Sequence, residues 1–247
     1  MRIIQTTFVA LLVASAPAVA RADQGILILA PSGNTAWNAE VAQLAAKANA
    51  QKPTELVLGT PTHAMIEAAV DRLAKRGATD VTAVPFFLSV ASPELTTGYA
   101  LPLRLASSPE TDPVFGEVIL SRVREISRSP SDETILLMGS DAADGTPSTV
   151  NFNAAARRLN QMREFSSILV VNDLQDAKEQ QQVRYTIEKL VGSQRRILII
   201  PVVALPKDGD TNLEQCLQGY SHDTATSDII SDARLVEWVL SRTAGPA

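Results

Sequence analysis

The sequence predicts an α/β protein made of two similar doubly wound domains, each with a parallel sheet, that face each other across a cleft. Short apolar segments alternate with amphipathic helical patterns along the chain. The same order of segments occurs twice, and a set of identical residues recurs near the end of each half. Alternating strands and helices are typical of parallel sheets, and recurrence at one spacing indicates an internal duplication.

The first half opens with a strand, a loop and a helix within residues 25–47. Ile26 to Leu29 is an apolar run, small polar residues fill positions 30–35, and a helical pattern follows. Open parallel sheets bind ligands at the carboxyl ends of their strands, so this loop is expected to carry function. The remaining predicted elements of this half are strands at 55–59 and 80–85 and helices at 62–77 and 112–126.

The second half repeats this order after a polar, proline-containing linker at 127–132. Its predicted elements are strands at 133–138, 167–171 and 196–201 and helices at 151–162, 177–191 and 232–242. We therefore predict an amino-terminal domain at 23–128 and a carboxyl-terminal domain at 129–247.

The duplication is clearest in the two closing helices. Five residues of the first recur with identical type 120 positions later in the second: Asp112, Glu117, Leu120, Ser121 and Arg122. Two shorter matches also support a duplication: Trp37-Asn38-Ala39 matches Phe152-Asn153-Ala154, and Val84-Pro85 matches Ile200-Pro201. Chance similarity between two α/β segments does not account for identities at a constant spacing.

Residues 1–22 are typical of a secretory signal peptide, so we expect an exported, periplasmic protein. Arg2 precedes an apolar run from Phe8 to Ala16, and two overlapping A-x-A cleavage patterns lie within residues 18–22. A membrane anchor is the alternative, but the run is short and rich in alanine. No later segment is long and apolar enough to span a membrane.

Composition limits the classes of partner. Cleavage after residue 22 would remove two arginines and change the formal net charge from −5 to −7. An acidic chain is a poor match for nucleic acid or for an anionic membrane surface. Cys216 is the only cysteine, so no internal disulfide forms and stability must come from packing.

Three stretches carry a family resemblance: the strand and loop at 26–34, the helix, turn, strand and Pro-Phe-Phe-Leu segment at 69–89, and the helix at 112–127. They resemble the class II tetrapyrrole chelatases of the CbiX and SirB type, the sirohydrochlorin cobaltochelatases and ferrochelatases. The resemblance implies two chelatase-like domains and a cleft that binds a tetrapyrrole. It also implies Co²⁺ or Fe²⁺ as the metal, with one histidine after the first strand and another after the third.

This chain departs from the family at both histidine positions. Pro31 occupies the first, and residues 90–94 contain no histidine. Imidazole both binds such metals and accepts protons near neutral pH, whereas the side chain of proline does neither. We therefore expect a tetrapyrrole- or metal-binding protein. If it is an enzyme, it is a divergent chelatase.

Small and acidic residues in the strand-end loops are the candidates for ligand binding. They are Ser32, Asn34, Ser92, Glu94, Ser140 and Asp141. Ser32 and Asn34 lie at a helix start, where side chains and backbone amides bind anions; a simple helix cap is the alternative. The acidic residues fit a hard cation, or are ordinary solvated turn residues.

His63 and His222 are the only histidines, and they are the candidate metal ligands. His63 opens a predicted helix, and His222 precedes Asp223 in a predicted loop. The alternative for both is an exposed residue without function, because neither lies beside further ligands in the sequence. No motif indicates a resident cofactor.

Two other classes of function fit the same pattern. Two doubly wound domains around a cleft also suit a periplasmic solute-binding protein without catalysis. A non-catalytic partner subunit of the cell envelope is the third possibility. The sequence shows no Walker loop, no GxSxG, no HExxH and no paired-cysteine zinc pattern.

Overall fold

The computed structural model of this chain describes residues 23–87, 97–138, 153–162, 164–171, 177–191, 196–202, 207–225 and 229–243. Two four-stranded parallel sheets with flanking helices occupy these ranges, which confirms the predicted two-domain α/β fold. The predicted signal peptide lies outside the described residues. None of the helices within the described ranges is both long and apolar enough to cross a membrane.

Each half contains four strands and at least three helices. The first half comprises β1 (Asp23–Ala30), α1 (Thr35–Asn49), β2 (Thr54–Leu58), α2 (His63–Lys75), β3 (Ala78–Pro85), β4 (Leu103–Leu105) and α3 (Pro113–Ile126). The second half comprises β5 (Glu133–Met138), α4 (Asn153–Met162), β6 (Ser167–Val171), α5 (Ala177–Val191), β7 (Arg196–Pro201), α6 (Lys207–Cys216), β8 (His222–Thr224) and α7 (Ala233–Ser241).

The two sheets have the same topology. Their strand orders are β2-β1-β3-β4 and β6-β5-β7-β8, and all strand pairs are parallel. Leu29 pairs with Pro85 in the first sheet, and Met138 pairs with Pro201 in the second. The Val84-Pro85 and Ile200-Pro201 matches in the sequence therefore lie at the same register of the two folds.

Three elements were missing from the sequence prediction: β4, β8 and α6. The two strands have three residues each, which is too short for an alternating pattern to be recognised. Their pairing with β3 and β7 makes them strands. The sequence of α6 begins with Lys-Asp-Gly-Asp, a composition typical of turns, yet the backbone is helical there.

The central strand of each sheet is buried on both faces, as the apolar runs predict. In β1, Ile26 and Ile28 face one core, while Leu27 and Leu29 face a second core beneath α2. The first of these cores also contains Ile135 from β5 and residues of α1, α3, α4 and α7. The two halves therefore share one continuous hydrophobic core.

The closing helices pack on the opposite halves. Helix α3 belongs to the first half in sequence but contacts α4 and β7 of the second. Helix α7 contacts α1, and its Trp238 ring lies edge-on to Phe86 with the ring centroids 6.2 Å apart. Each closing helix thus completes the core of the other half.

Two ion pairs between the closing helices use the residues that repeat in the sequence. Asp112 caps α3 by accepting a hydrogen bond from the Val114 amide (3.0 Å), and its Oδ2 lies 3.4 Å from Arg242 of α7. The equivalent Asp232 caps α7, and its Oδ2 lies 3.4 Å from Arg122 of α3. Each helix start is therefore bound to the end region of the other helix, where a carboxylate is also stabilised by the helix amides.

Asp232 is the more strongly held of the two caps. Arg234 donates side-chain hydrogen bonds to its Oδ1 (2.9 Å) and Oδ2 (2.8 Å), in addition to the backbone bond from the same residue. These bonds lower the pKa of Asp232 although burial opposes them, and the charges of Arg234 and Arg122 lower it further.

We predict that Asp232→Asn destabilises the protein more than Asp112→Asn. Asparagine keeps the helix cap and removes the charge, so the comparison isolates the ion pairs. The side chain of Asp232 is 11% exposed and that of Asp112 is 24% exposed. We expect a loss of about 1–3 kcal/mol for Asp232→Asn and under about 1 kcal/mol for Asp112→Asn, measured by urea unfolding at pH 7. Equal losses would contradict this ordering.

A second polar connection joins α3 to the second sheet through Glu133, the first residue of β5. Its carboxylate accepts hydrogen bonds from Ser127 Oγ (2.5 Å), the Arg128 amide (2.9 Å) and Arg196 (2.8 Å). Burial of the Glu133 side chain, which is 2% exposed, favours a raised pKa, but these bonds together outweigh it and lower the pKa. The carboxylate is therefore held in its charged form.

We predict that Glu133→Gln lowers the free energy of unfolding by about 1–3 kcal/mol at pH 7. A carboxyl group with a lowered folded-state pKa stabilises fully above its unfolded pKa of about 4.3, and this contribution is lost as the pH falls through the folded pKa. The difference between wild type and variant should therefore narrow below about pH 4. Urea unfolding from pH 7 to pH 3 measures it, and a constant difference would contradict the assignment.

Candidate functional site

The loop between β1 and α1 is closed by its own hydrogen bonds. The Pro31 carbonyl accepts a bond from Trp37 Nε1 (2.8 Å), and the Gly33 amide donates to Asn38 Oδ1 (2.9 Å). Asn38 Nδ2 donates in return to the Gly33 carbonyl (3.1 Å). Asn34 Oδ1 accepts from the Trp37 amide (3.0 Å) and caps α1. Trp37 and Asn38, which belong to the repeated Trp-Asn-Ala motif, thus fix the shape of the loop.

The hydrogen bonds of this loop involve or surround two of the candidate ligand-binding residues, Ser32 and Asn34. Both lie at the predicted position, where β1 ends and α1 begins. Helix capping, one of the two interpretations of Asn34, is present, and the Gly33 amide is already bound within the loop. Ligand binding by Ser32 and Asn34 stays a prediction.

A buried aromatic cluster lies next to this loop, where β3 ends. Trp37, Phe86, Phe87, Phe115 and Trp238 form it, and all five are buried. The ring centroids of Phe87 lie 5.7 Å from those of Trp37 and 5.4 Å from those of Phe115. Only 4% of the chain is aromatic, so the carboxyl edge of the first sheet is unusually rich in aromatic packing.

Phe87 has a backbone conformation that phenylalanine rarely adopts. Its φ is +54°, in the left-handed region, which costs a bulky residue about 1–3 kcal/mol. The packing of Phe87 between Trp37 and Phe115 holds it there. The chain therefore leaves β3 in a fixed direction at the carboxyl edge of the first sheet.

His63 lies at this same carboxyl edge, because it opens α2 directly after β2. Its side chain is exposed, and its imidazole stacks on the Tyr99 ring with the centroids 4.7 Å apart and the planes inclined by 22°. Neither imidazole nitrogen forms a hydrogen bond with another residue in the described ranges.

Tyr99 was not singled out from the sequence, where it lies in a mixed polar segment without a motif. Its hydroxyl is shut off from solvent and has no hydrogen-bond partner among the residues that the structure describes. Burial raises the pKa of Tyr99, and the nearby charge of Glu67 raises it further. The phenol is therefore neutral and able to donate a hydrogen bond.

His222 is in a different environment. It opens β8 and so lies at the amino edge of the second sheet. Its Nε2 lies 3.5 Å from Glu214 Oε1, and its Nδ1 lies 3.2 Å from the Tyr220 carbonyl oxygen. The two histidines thus occupy different sheets, one at a carboxyl edge and one at an amino edge. Within the described ranges, no group of three or more His, Cys, Asp or Glu side chains is arranged to hold a metal ion.

The other four ligand candidates lie outside the described residues. They are Ser92, Glu94, Ser140 and Asp141. The predictions made for them stay predictions, as does the assignment of His63 and His222 as metal ligands.

The fold is similar to solved structures of chelatase type. SirB from Bacillus subtilis, solved with Fe³⁺, matches with a TM-score of 0.66 and 17% identity over 90% of this chain and 96% of that chain. This chain has the chelatase-like fold. A protein of Deinococcus radiodurans, DR2241, described as multi-domain with structural similarity to chelatases and two additional novel domains, matches with a TM-score of 0.60 and 17% identity.

The match with DR2241 covers 90% of this chain and 55% of that chain, so this chain spans about half the length of DR2241. At these identities the likeness establishes the fold alone. No family model matches the sequence, and the search of curated proteins found no match. The resemblance to the CbiX and SirB type is therefore confirmed for the fold and not for the family.

We predict that Gly33→Ala destabilises the β1–α1 loop. A Cβ at this position would lie 2.6 Å from Trp37 Cδ1 and 2.8 Å from Trp37 Cγ, so the indole or the loop must move. We expect a loss of about 1–3 kcal/mol in the free energy of unfolding, measured by urea titration. Ser32→Ala in the same loop is the control and should change stability by less than about 0.5 kcal/mol. Similar values for the two variants would show that the Trp37 contact does not constrain the loop.

Proposed function

We propose that this protein is an exported tetrapyrrole-binding protein that uses a chelatase-like fold without inserting metal. The single observation that carries the proposal is the likeness to SirB, which extends over nearly the whole of both chains. Two doubly wound domains place the carboxyl ends of their central strands where such folds bind ligands. The resemblance of residues 26–34, 69–89 and 112–127 to tetrapyrrole chelatases supports the ligand class.

Loss of metal insertion follows from the chemistry at the first strand end. Insertion requires groups that hold the metal and accept two pyrrole protons, which imidazole does near neutral pH. Pro31 stands at that position, is buried, and uses its carbonyl to bind the Trp37 indole. The loop therefore keeps the shape of the scaffold while its polar groups are engaged within the protein.

The carboxyl edge of the first sheet offers surfaces that suit a large, flat, partly apolar ligand. Met65 is 38% exposed in the first turn of α2, and His63 and Tyr99 form an aromatic pair beside it. His63 presents ring nitrogens and Met65 an adaptable apolar surface to such a ligand. The acidic charge of the chain is compensated locally by the positive end of α2.

We predict that sirohydrochlorin binds to the purified protein saturably, with a shift in its absorption and quenching of the fluorescence of Trp37 and Trp238. Added Co²⁺ or Fe²⁺ should not enter the ring faster than in buffer, because no histidine stands at position 31. Absorption and fluorescence titration measure both. Absence of any shift or quenching would overturn the proposed ligand class, and accelerated insertion would overturn the non-enzymatic part.

A screen of small solutes by thermal shift separates this proposal from the solute-binding alternative. A ligand at 100 times its dissociation constant stabilises the folded state by about 2.7 kcal/mol. Stabilisation by a sugar or amino acid, without any effect of sirohydrochlorin, would favour a solute-binding protein.

A further inference from the structure

We infer that His63 is the axial ligand of a tetrapyrrole that already carries its metal, and this inference rests on the proposed tetrapyrrole-binding function. It names the form of the ligand, metallated rather than metal-free, and the residue that selects it. Three features of the described residues carry it: the exposure of the imidazole, its stacking on Tyr99, and the chemistry of a single ligand.

The imidazole of His63 is available to a ligand. It is exposed at the carboxyl edge of the first sheet, and its nitrogens form no hydrogen bond with the described part of the chain. The Cε1 atom lies 3.6 Å from the Cβ position of Gly98, whose φ of +87° favours glycine. Gly98 therefore lies beside the imidazole without a side chain in contact with it.

Stacking on Tyr99 fixes the plane of the imidazole. The two rings are 4.7 Å apart at their centroids, and the Tyr99 ring packs against the core beneath α2. An exposed histidine normally samples several rotamers, and a stacked one has lost most of that freedom before a ligand arrives. Tyr99 therefore acts as a positioning residue for His63.

A single fixed imidazole suits a metallated ring better than a bare ion. Protein sites for a bare transition-metal ion use three or four side-chain ligands. The described residues bring no such group together, at His63 or elsewhere. A metallated tetrapyrrole already supplies four nitrogens, so one axial imidazole completes the attachment. Imidazole is a good ligand for iron and for cobalt.

His222 provides a matched control. It is the other histidine of the chain, but Glu214 and the Tyr220 carbonyl occupy the surroundings of its two nitrogens. It lies at the amino edge of the second sheet, away from the strand ends that bind ligands in such folds.

The test compares haemin with metal-free protoporphyrin on the full chain. We expect wild type to bind haemin at least tenfold more tightly and to give the absorption spectrum of nitrogen-ligated iron. His63→Ala should bind haemin no more tightly than protoporphyrin, lose the spectrum of nitrogen-ligated iron, and recover that spectrum on addition of free imidazole. His222→Ala should behave as wild type.

Variants of Tyr99 separate its ring from its hydroxyl. Tyr99→Phe keeps the stack, so haemin binding and the spectrum of nitrogen-ligated iron should match those of wild type. Tyr99→Ala removes the stack and should weaken haemin binding and broaden that spectrum. Unfolding midpoints confirm that each variant is folded.

The outcomes distinguish this inference from the proposed function. Equal binding of haemin and protoporphyrin by wild type, or an unchanged spectrum in His63→Ala, would overturn axial ligation by His63 and leave tetrapyrrole binding standing. Binding of neither haemin nor protoporphyrin would overturn the inference, and only the further absence of sirohydrochlorin binding would overturn the proposed function.

Discussion

The packing of the closing helices α3 and α7 on opposite halves is the constraint on which the rest of this structure depends. Asp112 and Asp232 each cap one helix and face an arginine of the other, Arg242 and Arg122. The buried apolar faces of both helices belong to one hydrophobic core that runs through both sheets, and the ion pairs join the helix ends. A carboxylate that serves as cap and ion-pair partner at once is stabilised by both arrangements, which explains why the repeated residues are these.

That shared core fixes the edge of the first sheet at which the candidate site lies. Trp238 of α7 packs against Phe86 at the end of β3, and the neighbouring Phe87 is held in a left-handed conformation by Trp37 and Phe115. The exchanged helices α3 and α7 therefore supply the aromatic side chains that pack against the end of β3. His63 lies at the same carboxyl edge but on the other face of the sheet, where α2 packs on the second core and Tyr99 stacks on the imidazole.

In this chain a chelatase-like fold carries a loop after β1 that has no histidine. The scaffold is chelatase-like over 90% of the chain, whereas the loop after β1 contains Pro31 and satisfies its own polar groups through Trp37 and Asn38. A fold hosts many functions, and function follows from the side chains placed on it. At the carboxyl edge of the first sheet, the imidazole belongs to His63, which follows β2. The resemblance leads one to expect a histidine in the loop after the neighbouring strand β1.

The sequence by itself determined the two-domain α/β fold, the central strands and the duplication. The periodicity of apolar residues and the recurrence of identical residues can both be recognised without knowledge of spatial contacts. It also located Ser32, Asn34 and His63 at strand ends. Tertiary structure decided the exchange of α3 and α7, the strand character of β4 and β8, and the stacking of His63 on Tyr99. These depend on residues far apart in the chain, 36 positions for His63 and Tyr99 and 130 for Asp112 and Arg242, and no local pattern encodes such contacts.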